Sequence, residues 1–319
     1  MTVGAARITP VATPAPPRSA VGEPASSASG SAGTVGAQGN LELVCRAVTN
    51  DDMRRTVVDT IAQTPPLRMI RAFAQADGGA LIHLHNVSGG VLGGDDLRVR
   101  VAVGADARAL VTTTGATRVY RHRPGLPDAV QQTTFSVGAG GLLEYLPDPL
   151  IPYAGARYRQ VTRCDLTGDG GLFVWDVVTP GREASGERFA YDTLALESMV
   201  TVDGAPVAWE KIALQPKCQA LASPAALGDY RSFATLFMCR GGQPAATWLA
   251  LEKALAALAD ELTIVREVVW GASALAVDGV VVRGLARDAR HLSAALPAFW
   301  RAGKRALYGL EAILPRKVY

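Results

Sequence analysis

The chain is poor in the residue types from which tight transition-metal sites are built. Among 319 residues there are four histidines and four cysteines. The cysteines lie far apart, without a CxxC motif or a Cys/His zinc spacing, at Cys45, Cys164, Cys218 and Cys239. We therefore interpret them as reduced thiols of a cytoplasmic protein. His83 and His85 lie two apart on a predicted strand, hence on one face, but no third ligand accompanies them, and we interpret both as surface or packed histidines.

The sequence also lacks an excess of charge of either sign and a long apolar run. Lysine and arginine number 32 against 29 aspartates and glutamates, with no basic stripe, which does not favour nucleic-acid binding. No uninterrupted apolar run approaches the roughly 20 residues that span a bilayer. Hydrophobic residues nevertheless make up 49% of the chain and the mean hydropathy is +0.15, so we expect a surface that a partner protein covers.

Residues 1–40 contain no aromatic residue and no compact apolar segment of the kind found in secretory signals. They consist mainly of small residues and proline, a composition that cannot bury enough apolar surface to offset the entropy lost on ordering. We predict a disordered extension over residues 1–40, with a start codon set too far upstream as the alternative. Residues 41–319 are predicted to form a single β-rich domain.

Many short strands are predicted between residues 41 and 237. The apolar residues there come in short runs broken by glycine, proline and aspartate. Residues 97–103 alternate apolar with polar or small side chains, and Val111 is followed by three threonines, so both segments are predicted strands. Asp278-Gly279 stands between two apolar arms, which predicts a hairpin.

Two later segments have helical periodicity instead. Apolar residues recur at spacings of three and four from Trp248 to Leu262, which predicts an amphipathic helix with Thr247 as its N-cap. Residues 286–308 form a second predicted helix, kinked or divided at Pro297. The predicted fold class is therefore mainly β, with about two α-helices in the C-terminal third.

A glycine-rich span follows the strand that carries the two histidines. Glycine pairs at residues 89–90 and 93–94 provide positive-φ freedom at four places, so the chain can fold tightly on itself before Asp95. The span lacks the GxxxxGK[ST] pattern of a phosphate-binding loop. Neither it nor residues 181–187 contain the GxSxG of a nucleophile elbow, so no common catalytic motif is present here.

Seven short blocks in sequence order, running from about residue 65, carry a family resemblance. They are Pro66-Leu67 with Arg71-Ala72-Phe73, Gly89 to Asp95, Gly115 to Arg121, Leu143 to Pro147, Trp175-Asp176, Gly181-Arg182 and Gly186 to Phe189. Together with the terminal Leu314-Pro315-Arg316, these blocks resemble the urease accessory protein D family, also called UreD or UreH. The chain departs from the family at residues 86–88, where His-Pro-Pro is common, and at Tyr145, where Trp is usual.

The resemblance implies a mainly β fold with two packed sheets and helices near the C-terminal part. It also implies a non-enzymatic protein of urease maturation that binds apo-urease on one side and UreF on the other, while the GTPase UreG joins through UreF. Nickel delivery then belongs to the complex, with Ni²⁺ held transiently and no tightly bound cofactor. The resemblance assigns partner-binding or structural roles to Gly90, Gly93, Gly94, Arg121, Arg182, Glu187 and Arg316.

Three acidic residues are the candidates for a weak nickel-transit route. Asp95 follows the glycine turn, while Asp176 and Glu144 are embedded among large apolar residues of predicted strands. A lone buried carboxylate costs several kcal/mol unless it is paired, hydrated or metal-bound, so we predict a wet, acidic passage. We assign its hydroxyl lining to Thr114 and Thr117, together with Thr112 and Thr113.

The same residues admit other interpretations at this stage. Asp95 can simply terminate its turn, and threonines on strands often reflect β propensity alone. A glycan hydrolase on a β scaffold that uses Asp95, Asp176 or Glu144 is one rival function, although nothing places two acids at a defined separation around a cleft. A purely structural binding module is another. Arg182 and Glu187 are predicted to pair across a tight loop and fix its shape.

Overall fold

Eighteen strands and two α-helices make up the part of the chain that the computed structural model describes, residues 36–50 and 53–315. The strands are β1 Gln38–Asn50, β2 Met53–Thr64, β3 Leu67–Arg68, β4 Ala72–Ala74, β5 Ala80–Asn86, β6 Asp96–Val103, β7 Arg108–Thr113, β8 Thr117–Val119, β9 Ala129–Val137, β10 Leu142–Tyr145, β11 Leu150–Pro152, β12 Arg157–Leu166, β13 Gly171–Val178, β14 Thr193–Val202, β15 Ala205–Leu214, β16 Ser232–Arg240, β17 Val268–Ala274 and β18 Gly279–Ala286. The helices are α1 Ala245–Leu262 and α2 Ala289–Tyr308, and a 3-10 turn covers Glu183–Ser185.

The strands form two sheets between which the chain alternates. One sheet has seven strands in the order β15-β14-β12-β9-β6-β1-β2, and the other has eleven, eight of them in the order β17-β18-β16-β13-β10-β7-β5-β3. From β5 to β14 the chain coils from one sheet to the other, so that β6, β9, β12 and β14 pair in parallel, as do β5, β7, β10 and β13. The mainly β class and the two packed sheets implied by the resemblance are confirmed.

The strands bury their side chains according to their position in these layers. On β6, Leu97, Val99 and Val101 enter the core between the sheets, while Arg98 and Arg100 are exposed. By contrast, β10 is buried along its whole length. Its sheet packs against the other sheet on one face and against the helices on the other face. Strands that are covered on both faces typically have a continuous run of apolar residues in the sequence.

Both helices pack on the eleven-stranded sheet. The predicted stripe of α1 is confirmed, with Trp248, Leu251 and Leu255 buried. The predicted N-cap at Thr247 is wrong, because the helix begins at Ala245 and its N-cap residue is Pro244, which has no side-chain cap hydrogen bond.

Helix α2 is one unbroken helix. Its N-cap is Asp288, whose side chain accepts a hydrogen bond from the backbone N–H of Arg290. The helix runs through Pro297, which was predicted to kink or divide it. Proline removes one backbone hydrogen bond there, and the complete burial of Phe299 and Trp300, two and three residues later, offsets that loss.

Two further sequence predictions concern chain ends and turns. The hairpin at Asp278-Gly279 is confirmed, since β17 and β18 pair antiparallel and Asp278 has a left-handed φ of 49°. The predicted extension over residues 1–40 extends too far, because Gln38 to Asn40 already belong to β1. Residues 1–35 lie outside the described residues.

Neither helix in the described ranges is long and apolar enough to cross a membrane.

Candidate functional site

A cavity of about 230 Å³ opens at the ends of β5 and β7, beside the glycine-rich turn. Its lining is largely polar and includes His85, Asn86, Gly90, Thr113, Thr114, Thr117, Arg118, Gln131 and Tyr145. Thr114 and Thr117, which were assigned to a passage lining, therefore border a real cavity. Thr112 faces the opposite side of β7, where its hydroxyl donates to the carbonyl oxygen of Leu146 at 2.6 Å.

A band of polar side chains continues from this cavity between the two sheets. Gln131 of β9 is in register with Gln160 of β12, and Thr133 is in register with Thr162. The hydroxyl of Thr133 is buried and has no hydrogen-bond partner among the described residues. Buried polar groups of this kind are normally satisfied by water. The band is therefore a row of buried polar groups in an otherwise apolar core, and one of its hydroxyls has room in its hydrogen bonding for a water molecule.

Asp176 of β13 lies on the wall of the band that faces Gln160. Its Oδ1 accepts a hydrogen bond from Nε2 of Gln160 at 3.2 Å, and the Tyr158 hydroxyl donates to Oε1 of Gln160 at 3.3 Å. Burial raises the pKa of the Asp176 carboxyl from 3.8 to about 7; the Gln160 bond opposes this rise and the charge of Glu210 adds to it. The group therefore changes charge near neutral pH, and as a single oxygen donor it suits a weakly held cation.

Glu144 of β10 lies on the other face of the eleven-stranded sheet, beneath α2. Its carboxylate accepts hydrogen bonds from Nε1 of Trp300 at 2.6 Å and from Nζ of Lys304 at 2.8 Å. The Lys304 ammonium is also 3.6 Å from a carboxylate oxygen of Asp77. Burial raises the pKa of Glu144, while Lys304 and Trp300 act to lower it. The sequence grouped Glu144 with Asp176, but the thickness of a sheet separates them, so they share no common space.

Asp95 is buried at the start of β6, and its carboxylate binds the backbone. Oδ1 accepts from the N–H of Ala37 at 2.8 Å and Oδ2 from the N–H of Leu92 at 2.9 Å. These two bonds fasten the glycine turn to the segment that precedes β1. Asp95 also borders a separate cavity of about 130 Å³ together with Ser88 and Arg123. The contacts are those of a residue that closes its turn.

Replacing Asp95 with Ala is expected to lower the free energy of unfolding by about 2 kcal/mol, because two backbone donors lose their acceptors. Asp95→Asn retains one acceptor oxygen and is expected to lose about half as much. Urea unfolding measures both changes. Asp96→Ala is the control, because its carboxylate is partly exposed and only pairs with Arg98. Equal losses at Asp95 and Asp96 would contradict the turn-closing role.

The glycine turn uses its glycines in two ways. Gly89 and Gly94 have positive φ values of 78° and 89°. At residue 90 there is no room for a side chain, because a Cβ atom there would lie 2.5 Å from the ring of Tyr120. The expectation of four positive-φ positions is therefore wrong at Gly90 and Gly93. At these two positions close packing, and not a positive φ, disfavours a side chain.

The predicted pair of Arg182 and Glu187 is present and closes its loop. Nε of Arg182 donates to Oε2 of Glu187 at 2.9 Å, and the same oxygen accepts from the N–H of Ala154 at 3.0 Å. The Arg182 bond is the largest cause that lowers the pKa of Glu187, and exposed Arg121 contributes to the same lowering. Arg316 lies outside the described residues.

Metal-ligating residue types are dispersed in the described part of the chain. No group of three or more His, Cys, Asp or Glu side chains suited to a metal ion occurs among those residues. His83 packs edge-on against Phe73, with ring centres 5.8 Å apart. All four cysteines are free thiols, and three of them are buried.

The polar residues of the band were missed at the sequence level. Gln160 and Thr162 share the inward face of β12 with Tyr158 and Cys164. Inward positions of a core strand are normally apolar. Two polar residues at successive inward positions were therefore the available signal for the band.

Comparison with known proteins agrees with this architecture. The chain matches the family model described as UreD urease accessory protein over residues 37–319. It is 44% identical over 266 residues to a urease accessory protein UreD of Herpetosiphon aurantiacus, which covers 83% of this chain and 92% of that relative. It is 35% identical over 214 residues to the UreD of Opitutus terrae, with 66% and 78% covered. A UreD 2 of Pseudomonas syringae pv. syringae is 35% identical over 228 residues, with 72% and 76% covered. The chain therefore belongs to the UreD family of urease accessory proteins, a family that serves urease maturation and is not catalytic.

Proposed function

We propose that this protein helps to load nickel into apo-urease, as a cytoplasmic scaffold and chaperone without turnover of its own. It binds apo-urease on one side and UreF on the other, and UreG joins the complex through UreF. GTP hydrolysis and metal release belong to the complex. Family membership over residues 37–319 supports the accessory role.

The polar band between the sheets carries the nickel part of the proposal. The Asp176 carboxyl and the amide and hydroxyl oxygens of Gln160 and Thr162 provide only hard, neutral or singly charged donors. Oxygen donors hold Ni²⁺ less tightly than imidazole or thiolate groups do, so an ion in the band exchanges readily. Ni²⁺ is thus transient cargo, which enters or leaves through the cavity lined by Thr114 and Thr117. Asp95 and Glu144 already have their oxygens engaged, so Asp176 is the acid that we assign to the route.

Deleting the gene in its host is expected to leave the urease subunits expressed and assembled but largely free of nickel. The reason is that the proposed role lies in metallocentre assembly and not in folding of the subunits. Elemental analysis of purified urease gives the nickel content per active site, and a strain complemented with this chain is the control. Full nickel occupancy in the deletion strain would exclude the proposal.

The glycan hydrolase receives no support from the geometry. The carboxyl pairs of such enzymes face one cleft and stand about 5 to 10 Å apart. Here Asp176 and Glu144 face opposite sides of one sheet, and Glu144 is paired with Lys304. A purely structural binding module is distinguished from the proposed function by the same nickel measurement.

A further inference from the structure

A groove of about 410 Å³ lies between the first half of α2 and the segment that connects β10 with β11. Its walls are mainly apolar and include Leu146, Trp175 and Leu296. The volume is within the range of about 300 to 1,000 Å³ that is usual for binding clefts. Apolar side chains that enter such a groove release the water that wets its walls, which favours their binding.

Two hydrogen-bond acceptors interrupt these apolar walls. Asp148 is the only carboxylate among the described residues that line the groove, and they include no lysine or arginine. Its side chain is held by Thr113, whose hydroxyl donates to Oδ2 at 3.1 Å. The second acceptor is the backbone carbonyl of Ser293, because Pro297 lacks the N–H that would donate to it within the helix. An occupant of the groove therefore needs donors as well as apolar side chains.

The chain itself leads into this groove after α2. The helix ends at Tyr308, and Gly309 turns the chain with a left-handed φ of 63°. The following residues return along α2, because Leu314 and Pro315 line the groove together with Ser293 from the first half of the helix. Leu314 is still 45% exposed, so the described part of the chain does not fill the groove.

Residues 316–319 follow directly, and their composition matches what the groove requires. Their sequence is Arg-Lys-Val-Tyr. Consecutive Cα atoms are about 3.8 Å apart, so the bond to Pro315 tethers the start of this segment beside the groove. Its arginine and lysine supply donors and positive charge for the two acceptors. Its valine and tyrosine supply apolar surface for the walls.

We propose that residues 316–319 dock in the groove of their own chain, and we name this segment the latch. The guanidinium of Arg316 pairs with the carboxylate of Asp148, and the ring of Tyr319 covers Trp175. The latch thereby ties α2 to the segment between β10 and β11. Of the partner-binding and structural roles that the family resemblance left open for Arg316, this inference selects the structural one.

Two other occupants fit the groove less well than the latch. Residues 1–35 lead into Ala37, whose N–H donates to Asp95 beside the seven-stranded sheet. The eleven-stranded sheet lies between that point and α2. A second copy of the chain carries the same four residues, but a tethered segment reaches its own groove at an effective concentration of the order of 1 mM. Docking within one chain is therefore favoured in dilute solution.

A double-mutant cycle on the full-length protein tests the ion pair. Arg316→Ala is expected to lower the Tm by about 2 °C or more. In an Asp148→Asn background, which removes the charge but keeps an acceptor oxygen for Thr113, the same change is expected to cost under about 1 °C. Lys317→Ala is the matched control, and its effect should be equal in both backgrounds. An Arg316→Ala effect that is equal in both backgrounds would exclude the pair.

The indole N–H of Trp175 provides a second readout inside the groove, where it donates to the carbonyl oxygen of Pro147 at 2.9 Å. Its NMR resonance, assigned with Trp175→Phe, is expected to move in Tyr319→Ala and in a variant that stops after Pro315. The resonance of Trp209 is the internal control, because this side chain is 63% exposed on β15 of the other sheet. A Trp175 resonance that stays in place in both variants would overturn the docking.

Light scattering identifies the chain that supplies the segment. The wild type and the variant that stops after Pro315 are expected to have the same oligomeric state. If the wild type is a dimer that this truncation converts to a monomer, the segment docks in a second copy and a latch within one chain is excluded. If the truncation impairs folding, Tyr319→Ala takes its place in both measurements. None of these readouts depends on nickel, so failure of the latch leaves the proposed function standing.

Discussion

Replacing Asp176 with Asn is expected to make the protein more stable at pH 8 while lowering nickel incorporation into urease. The folded-state pKa of about 7 lies above the ordinary value of 3.8. The native state therefore binds this proton more tightly than the unfolded state does, so the contribution to stability is complete below about pH 4 and is lost as the pH rises through about 7. Asparagine stays neutral, and the gain at pH 8 reaches at most about 4 kcal/mol.

Thermal or urea unfolding at pH 5 and pH 8 measures this effect, and the difference between variant and wild type should be larger at pH 8. Asp260→Asn, on the exposed face of α1, is the matched control. Because the Asp176 variant gains stability, any nickel deficit cannot be attributed to unfolding. Normal nickel per urease active site in a stabilised Asp176→Asn variant would remove Asp176 from the nickel route.

Replacing Lys304 with Met is expected to cost about 3 to 5 kcal/mol of folding free energy. The change leaves the Glu144 carboxylate buried with the indole N–H of Trp300 as its remaining side-chain donor. The cost comes from the unpaired charge and not from lost packing, because methionine fills a similar volume. Urea unfolding followed by tryptophan fluorescence measures the change, since Trp300 adjoins the site.

Two companion variants decide whether charge is responsible. Glu144→Gln combined with Lys304→Met removes both charges and is expected to recover most of the loss. Arg305→Met breaks an ion pair with Glu311 whose side chains are 69% and 74% exposed, and is expected to cost under about 1 kcal/mol. A Lys304 variant no worse than the Arg305 variant would show that the buried pair does not hold α2 to the sheet.

Features that depend only on residues close together in the sequence could be predicted. The hairpin at Asp278-Gly279 needs only a turn residue with positive φ between two apolar arms. The buried stripe of α1 needs only spacings of three and four from Trp248. Both are confirmed because local backbone preference and tertiary packing favour the same outcome there.

The positions of the acids could not be predicted in this way. β10 is buried on both faces, so the side on which Glu144 projects leaves no alternating pattern in the sequence. Its partner Lys304 is 160 residues away in the chain. The strand order likewise depends on distant pairings such as β9 with β12, and it was the family resemblance, not periodicity, that implied two sheets.

The distance along the chain between Glu144 and its partners also affects how the protein is made. Trp300 and Lys304 lie 156 and 160 residues downstream, so a ribosome adding about 5 to 20 residues per second delivers them roughly ten to thirty seconds after Glu144. Until α2 is synthesised, the strands of the eleven-stranded sheet that already exist lack its cover on their apolar face, and the Glu144 carboxylate lacks its counter-charge. A product of premature termination before α2 has the same unfinished surface, and we expect chaperones and proteases to bind it as they bind other exposed apolar surfaces.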